Sequence, residues 1–364
     1  MRHLRVPSAE TQSWLMRCRS SGWLWQGSGV VELDDHHRGI PLTEQAPPDE
    51  DDVWEGHGFV EIDAAAKSPS HWTQRLPKEL QALPSTTWPS AYELQGDLLI
   101  VKLEPGAELH QKAMAEAMLG QLSNVRVICA DEGVHGDFRV RDLRVIMSRE
   151  SNDSTRTSVR EHGHQIWVDP GAAYFSSRLS TERHKTLLAL QELRDEVGHA
   201  LIVADPYAGV GPAFPLLLES PGLLKGYLAG DLNPSAVELL KINLEDWTSR
   251  DDSDRYSPSK VMCEDARAWQ NDTELRGQAD ALLVNLPHES FEHLDDLLPL
   301  LKTNSPVMLR GWAIRERGEL EADRQQLERW LIGHKITAKL VHIKEIKGYS
   351  STRCFAVFEC RFTR

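Results

Sequence analysis

Ala200-Leu201-Ile202-Val203-Ala204-Asp205-Pro206-Tyr207-Ala208-Gly209-Val210-Gly211-Pro212 reads as a short, continuously apolar strand that stops on a carboxylate and turns through two glycines. An unbroken apolar run marks a strand covered on both faces, as in a parallel sheet between helical layers. Further strands are predicted at Gly226–Asp231, Lys260–Glu264, Ala279–Leu286, Pro306–Gly311, Ile336–Ile346 and Cys354–Phe362. The first of them are spaced as βαβ units, and the last two form a hairpin around Lys347-Gly348-Tyr349-Ser350. The fold class expected is therefore α/β, a doubly wound sheet finished by an antiparallel pair.

In such sheets a ligand sits beyond the carboxyl ends of the strands, where the strand order reverses. Asp205 ends the first strand, and Gly209 and Gly211 let the backbone bend and approach a ligand with no Cβ in the way. The pattern is Asp-x-x-x-Gly-x-Gly, with neither the GxGxxG of dinucleotide enzymes nor the GK[ST] of triphosphate-binding loops. Asp231, followed by Leu232, Asn233 and Pro234, ends the second strand and suits the two hydroxyls of a ribose. Asp265, followed by Ala266, ends the third and suits an adenine amino group. Asn285-Leu286-Pro287 ends the fourth. Polar residues at four successive strand ends, in this order, suit S-adenosylmethionine. The candidate cofactor set is Asp205, Tyr207, Gly209, Val210, Gly211, Asp231, Leu232, Asn233, Asp265, Ala266 and Asn285, on a class I (Rossmann-like) methyltransferase sheet. For each position alone, a helix cap is the plain alternative.

A chain of 364 residues is too long for one core. Three domains are expected: 1–66, 67–169 and 170–364, the first two smaller and α+β. In the first, a helix over Ala9–Ser20 places Trp14, Leu15 and Cys18 on one face. Thr43–Gly58 contains Pro47-Pro48-Asp49-Glu50-Asp51-Asp52 and reads as a mobile linker or long loop. The middle domain is predicted from strands Leu98–Leu103, Val125–Cys129, Asp137–Ile146 and His164–Val168, with a helix over Leu109–Leu122. A further helix is expected from Gly171 to Arg194, broken early at Ser176-Ser177. The five cysteines are scattered and never spaced CxxC, so neither a disulfide framework nor a structural zinc site is expected. The turn Asp34-Asp35-His36-His37 is not read as a metal site, because sequential turn residues rarely converge on one ion. Neither a membrane span nor a signal peptide is read, which places the protein in the cytoplasm. A net charge of −14 counts against a nucleic-acid partner. Against that sum stands an arginine cluster without lysine: Arg139, Arg141, Arg144, Arg149, Arg156 and Arg160. It is either a phosphate-contacting face or a solvated sheet edge.

With these residues the chain resembles the archaeal and eukaryotic tRNA (guanine-N1)-methyltransferases that act on the guanosine directly 3′ of the anticodon, position 37. The resemblance runs through Leu4-Arg5-Val6-Pro7, Gly96-Asp97, Gly136-Asp137-Phe138-Arg139, the block Tyr174-Phe175-Ser176-Ser177-Arg178-Leu179-Ser180-Thr181-Glu182-Arg183, the Asp205–Pro212 loop and Asn285-Leu286-Pro287. It implies that Glu182 is the general base for the N1 proton of guanine and that Arg139 holds O6. It implies that Asn285 orients the base and Pro287 shapes its pocket, while Tyr174 and Arg178 border the cofactor. RNA contacts are expected from Arg139, Arg141, Arg144 and Arg178. The implied partner is tRNA, at its anticodon loop and outer corner, bound by a monomer without a metal. The chain departs from the family at Val145-Ile146-Met147-Ser148 and at Lys347-Gly348-Tyr349. Related enzymes of wyosine synthesis, which transfer the aminocarboxypropyl group or add a second methyl, and a non-catalytic tRNA-binding protein remain alternatives. So does, for Glu182, an ordinary helix residue paired with Arg178 or Lys185.

Overall fold

Seven apolar strands of the C-terminal half assemble into one sheet: β1 (Leu201–Asp205), β2 (Leu224–Gly230), β3 (Ser259–Met262), β4 (Ala281–Val284), β5 (Pro306–Glu316), β6 (Ala338–Gly348) and β7 (Arg353–Thr363). The order is β3-β2-β1-β4-β5-β7-β6. β1 to β5 are parallel where they pair, and β7 runs antiparallel to both β5 and β6. All seven predicted strands are present, with ends moved by a few residues, β5 running furthest beyond its expected end. The computed structural model describes residues 1–62, 69–136, 138–248 and 256–364.

The order reverses between β1 and β4, which places a crevice at the end of the strand where Asp205 stands. Two apolar layers cover the sheet. One contains Trp269, Leu297, Leu331 and Phe358. The other contains Leu190, Phe214, Leu240 and Met308. Helices α1 (Ser180–Val197), α2 (Pro234–Thr248) and α3 (Leu320–Gly333) supply much of this cover. The helix expected from Gly171 begins only at Ser180, after a short 3-10 turn at Ser177–Leu179. Asp169 explains the delay: its backbone carbonyl accepts from the amides of Ala172 and Ala173, and its carboxylate from that of Gly171. These bonds close a local turn that competes with helix.

The chain divides into two units, Met1–Gln81 and Ala82–Arg364. Besides the large sheet, the second unit holds a four-stranded sheet of Glu93–Gln95, Leu98–Val101, Val127–His135 and Val140–Ser148, and a hairpin of Thr157–Glu161 with His164–Val168. Gly96 joins the two. It has φ +57, and a Cβ there would lie 2.2 Å from Thr157 Oγ1. Asp97 then accepts from that hydroxyl at 2.7 Å and from Arg126 Nε at 2.7 Å. Of the predicted strand Asp137–Ile146, Asp137 lies outside the described residues.

In the first unit, strands Arg2–Pro7, Val31–Asp34, His37–Pro41 and Phe59–Glu61 form a sheet beside a helix over Thr11–Ser20. Trp14 and Cys18 are buried, and Leu15 is partly buried against the same core. Thr43–Gly58 is not a mobile linker. Trp54, within it, is 1% exposed, and its indole donates to Pro48 O at 2.8 Å. Arg2 donates to Asp49 Oδ1, Ala46 O and Pro47 O at 2.8–2.9 Å. One large aromatic and one guanidinium thus fold a segment whose acidic, proline-rich composition reads as solvated.

Candidate active site

Asp205 is buried at the end of β1. Desolvation raises its carboxyl to about 7, against the lowering effect of the Tyr207 amide and with the nearby Asp231 adding to the rise. Gly209 and Gly211 both occupy the left-handed region, at φ +57 and +83. At Gly211 a Cβ would come within 2.5 Å of Leu240 Cδ1, so this glycine lets the loop lie against α2. Asn243, also on α2, anchors the turn by donating to Val210 O at 2.8 Å. Val210 itself is fully buried with Ile166, Phe175 and Leu239, so its side chain is core and only its backbone faces the loop. Ala266 likewise lies in the core under the sheet. Both were expected as cofactor contacts, a role left to their backbone atoms.

Asp231, at the end of β2, accepts from Gly209 N at 3.0 Å and Asn233 N at 2.9 Å, one on each oxygen. Burial raises its pKa. A carboxylate has about four lone-pair sites, so acceptor capacity remains for a ribose hydroxyl. Leu232 beside it exposes its side chain, and Asn233 donates to Ala172 O at 2.7 Å, tying this edge to the Tyr174 block. Tyr174 is exposed and close to the loop, its carbonyl 3.7 Å from the Cβ position of Gly209. Asp265 is less free than expected. Arg267 donates to both its oxygens, at 2.6–3.1 Å, and lowers its pKa, so an adenine amino group would compete with a guanidinium. Tyr207 pairs through its hydroxyl with His293 Nδ1 at 2.6 Å, a partner the sequence did not suggest. The glycine turn, the Asp231 acceptors and the exposed Leu232 together fit an adenosine-bearing group.

Glu182 occupies the first turn of α1 and is 3% exposed. Its Oε1 accepts from Lys185 Nζ at 2.6 Å, so the helical pairing considered from sequence exists. Its Oε2 is buried with no hydrogen-bond donor, 3.7 Å from the Arg310 guanidinium. Arg310 lies on β5 opposite Leu283, two residues before Asn285, and is itself held by Glu359 Oε2 at 2.5 Å. Glu182 is therefore brought against β5, the strand paired with β4, which Asn285 directly follows. The block around it is fixed by Arg183, which donates to Glu161 at 2.5–2.6 Å and to Ser176 O at 3.0 Å, the ion pair being buried.

The Asn285-Leu286-Pro287 loop is pinned to the overhanging end of β5. Ile314 N donates to Pro287 O at 2.7 Å, and Ser290 Oγ bonds the carbonyls of Leu286 and Trp312 at 2.6 and 2.5 Å. The Asn285 carboxamide has no hydrogen-bond partner among the described residues and is half-buried. Arg139, exposed and at φ +53, stands just before the last strand of the middle sheet. Its charge acts on His288, the residue after Pro287, and helps to depress that imidazole after burial, the larger cause. The other arginines differ. Arg141 pairs with Glu93 at 2.8 Å, and Arg144 pairs with Glu132 and donates to Gln111 at 2.7 Å. Arg149 caps carbonyls at Val125 and Leu122, and Arg156 pairs with Glu238 at 3.4 Å. Arg178 is exposed and has no ion pair among the described residues; its charge lowers the Glu93 carboxyl, after the larger contributions of Gln95 and Arg141. The cluster is thus mostly internal pairing, with Arg139 and Arg160 exposed and without an ion pair among the described residues, and Arg178, outside the cluster, facing outward as well. Among the residues important here, Arg310, Ser290 and His293 carry no local motif. His288 was legible only as the neighbour of Pro287.

Comparison with known proteins agrees with this geometry. Residues 157–329 match the TRM5/TYW2 methyltransferase domain, and residues 72–150 match the TYW2 N-terminal domain. A tRNA (guanine(37)-N(1))-methyltransferase Trm5b from Pyrococcus abyssi is 26% identical over 256 residues, 70% of this chain and 68% of that protein. The Trm5b of Methanocaldococcus jannaschii is 33% identical over 160 residues, 43% of this chain and 42% of its own length. A grapevine (Vitis vinifera) tRNA (guanine(37)-N(1))-methyltransferase 1 is 28% identical over 60% of this chain and 33% of its own length. The chain thus spans about two thirds of the P. abyssi relative but only a third to two fifths of the other two. In fold it is similar to the crystal structure of P. abyssi Trm5b, with a TM-score of 0.64 and 20% identity over all of both chains. It is similar also to Trm5 in a complex with tRNALeu, with a TM-score of 0.68 and 19% identity over 100% of this chain and 99% of that one. P. horikoshii TYW2 in complex with MeSAdo gives a TM-score of 0.61 at 17% identity over 80% of this chain and 96% of that one. With the match spanning the glycine loop, Glu182 and Asn285, residues 157–329 belong to the TRM5/TYW2 methyltransferase domain family.

Proposed function

We propose that this protein is an S-adenosylmethionine-dependent tRNA methyltransferase that methylates N1 of guanosine 37, with Glu182 as general base. The observation that carries the reading is the Glu182 Oε2 oxygen, buried without a donor and 3.7 Å from Arg310, which lies on β5 opposite Leu283, two residues before Asn285. N1 of guanine is a poor nucleophile until its proton leaves, and a carboxylate oxygen with a free lone pair in a water-poor place is suited to remove it. Lys185 must yield Glu182 Oε1 or stay as its counter-ion while Oε2 works. As the proton leaves, charge builds on O6, where the exposed Arg139 guanidinium, whose charge acts on His288 in the Asn285 loop, would meet it. Asn285 offers an unused carboxamide to orient the base, and Pro287 a rigid wall held by Ile314 N. Bound S-adenosylmethionine supplies an electrophilic methyl group on a sulfonium. Asp231, Leu232, Asn233 and the Gly209–Gly211 turn would hold it, with Tyr174, Arg178, Tyr207 and Asp265 at its border. The target base is turned out of the anticodon loop to reach this site.

The same proposal takes in the domain limits at 66/67 and 169/170, a role for residues 1–66 at the outer corner of tRNA, action as a monomer, and a cytoplasmic place. Among the described residues no helix is long and apolar enough to cross a membrane. The match of residues 72–150 to the TYW2 N-terminal domain supports a second reading, transfer of the aminocarboxypropyl group. One experiment separates the two. Cofactor labelled in the methyl group or in the carboxyl chain is offered with unmodified transcripts carrying G or A at position 37. Methyl label on the G transcript alone is expected. Carboxyl label on RNA establishes the second reading, and equal labelling of G and A transcripts, or of neither, overturns the methylation reading.

A further inference from the structure

Two separate segments meet at the rim of the site and a third brings charge to it, and the chemistry proposed above leaves the side chains of the first two, His288 and Tyr349, unused. His288 follows Asn285-Leu286-Pro287 and is exposed. Tyr349, at the turn between β6 and β7, has its ring 6.0 Å from the His288 ring at an interplanar angle of 78°, and is 52% exposed. Arg139 stands just before the last strand of the middle sheet, and both it and Arg353 act electrostatically on His288. The turn carrying Tyr349 is well fixed: Tyr349 N and Ser350 N donate to Arg353 O at 2.9 and 3.0 Å, Arg353 Nε to Glu316 Oε1 at 2.9 Å, and Arg317 N to Thr352 O at 2.9 Å. A rigid turn thus presents a large aromatic ring to solvent, an arrangement that packing alone does not require.

Exposed ring faces flanked by guanidinium groups make up the composition that holds unpaired nucleobases: aromatic faces stack on any base while cations meet the backbone. Burial and the two arginines depress the imidazole of His288, which favours a neutral ring at neutral pH, suited to stacking rather than to phosphate contact. We infer that the His288–Tyr349 pair stacks on an unpaired nucleobase adjacent to the guanosine being methylated, holding the loop open once the target base has turned out. This rests on the tRNA reading above and deepens it by naming how the neighbouring nucleotide is gripped.

The test uses the full chain, a G37 transcript, and the same transcript with 2-aminopurine at position 36 or 38. Tyr349→Ala is expected to raise KM for tRNA about tenfold or more, with a much smaller change in kcat and unaltered affinity for S-adenosylmethionine. His288→Ala is expected to do the same to a lesser degree. Binding to the wild type should quench 2-aminopurine at one of the two positions, and Tyr349→Ala should abolish that quenching. Tyr349→Phe, which keeps the ring, should restore most of both losses. Unchanged KM and quenching in Tyr349→Ala, or a fall in kcat alone, overturns the inference. A wild-type protein inert on the G37 transcript overturns the tRNA reading together with it, whereas an active wild type with an indifferent Tyr349 removes only the stacking pair.

Discussion

Glu182 and Asp205 are both buried carboxylates at the edge of one sheet, and their surroundings set them apart. Lys185 and Arg310 bring positive charge to Glu182, while Asp205 has only the Tyr207 amide and the like charge of Asp231. If Glu182 is the base, Glu182→Gln keeps the shape and removes the lone-pair basicity. Methyl transfer should then fall roughly 10²–10⁴-fold with cofactor affinity unchanged, measured by single-turnover labelling and by calorimetric titration. A retained rate would take Glu182 out of its role. Asp205 makes a prediction about stability. Its folded pKa, about 7, is raised by burial well above the ordinary carboxylate value of about 3.9. The group therefore favours the fold most below pH 4, and that contribution is lost as pH rises through about 7. Asp205→Asn, which cannot ionise, should gain on the wild type across this window by up to roughly 4 kcal/mol. Urea unfolding without cofactor at pH 4, 6 and 8 measures the gap, and a gap that does not widen with pH contradicts the account.

At the scale of elements, the glycine turn and α2 form one unit. Gly211 is pressed onto Leu240 at positive φ, and Asn243 donates to the carbonyl before it. Gly211→Ala should destabilise the second unit by about 1–3 kcal/mol and weaken cofactor binding, read by thermal shift with and without S-adenosylmethionine. Equal stability would mean that Leu240 yields and that the left-handed backbone is relieved. In the first unit, the acidic stretch is an element because Trp54 lies under it. Trp54→Ala should cost about 3–5 kcal/mol and expose Thr43–Gly58 to limited proteolysis. Unaltered proteolysis there would show that Arg2 and its three acceptors hold the stretch without the indole.

Across the second unit, distant segments are joined by charge. The buried Arg183–Glu161 pair ties the Thr157–Val168 hairpin to the start of α1, and Arg183 also holds Ser176 O. Glu161→Ala leaves a buried guanidinium uncompensated and should cost about 3–5 kcal/mol in urea unfolding. It should also lower activity, because the Tyr174–Arg183 block is set by that arginine. A loss of stability without loss of activity would detach the pair from the site. The overall charge of −14 is likewise a poor guide at this scale. Most arginines of the middle region are neutralised by neighbouring carboxylates, so the outward field toward a polyanion falls to a few unpaired cations such as Arg139 and Arg178.

The sequence by itself determined the sheet, the glycine turn and the order of polar strand ends, because these depend on local periodicity and on residues within a few positions of each other. It also marked Glu182 and Asn285 through their motifs. Only the tertiary structure decided that Val210 and Ala266 turn into the core, that Arg141 and Arg144 are paired, and that Asp265 is shared with Arg267. It alone placed Arg310 against Glu182 and Tyr349 against His288, and put the acidic stretch over Trp54. The physical reason is the same in each case. Which face of a loop is buried, and which charges meet, depends on chain segments far apart, 169 residues in the case of Arg361 and Glu192, whose approach is set by packing of the whole sheet and leaves no periodicity to read.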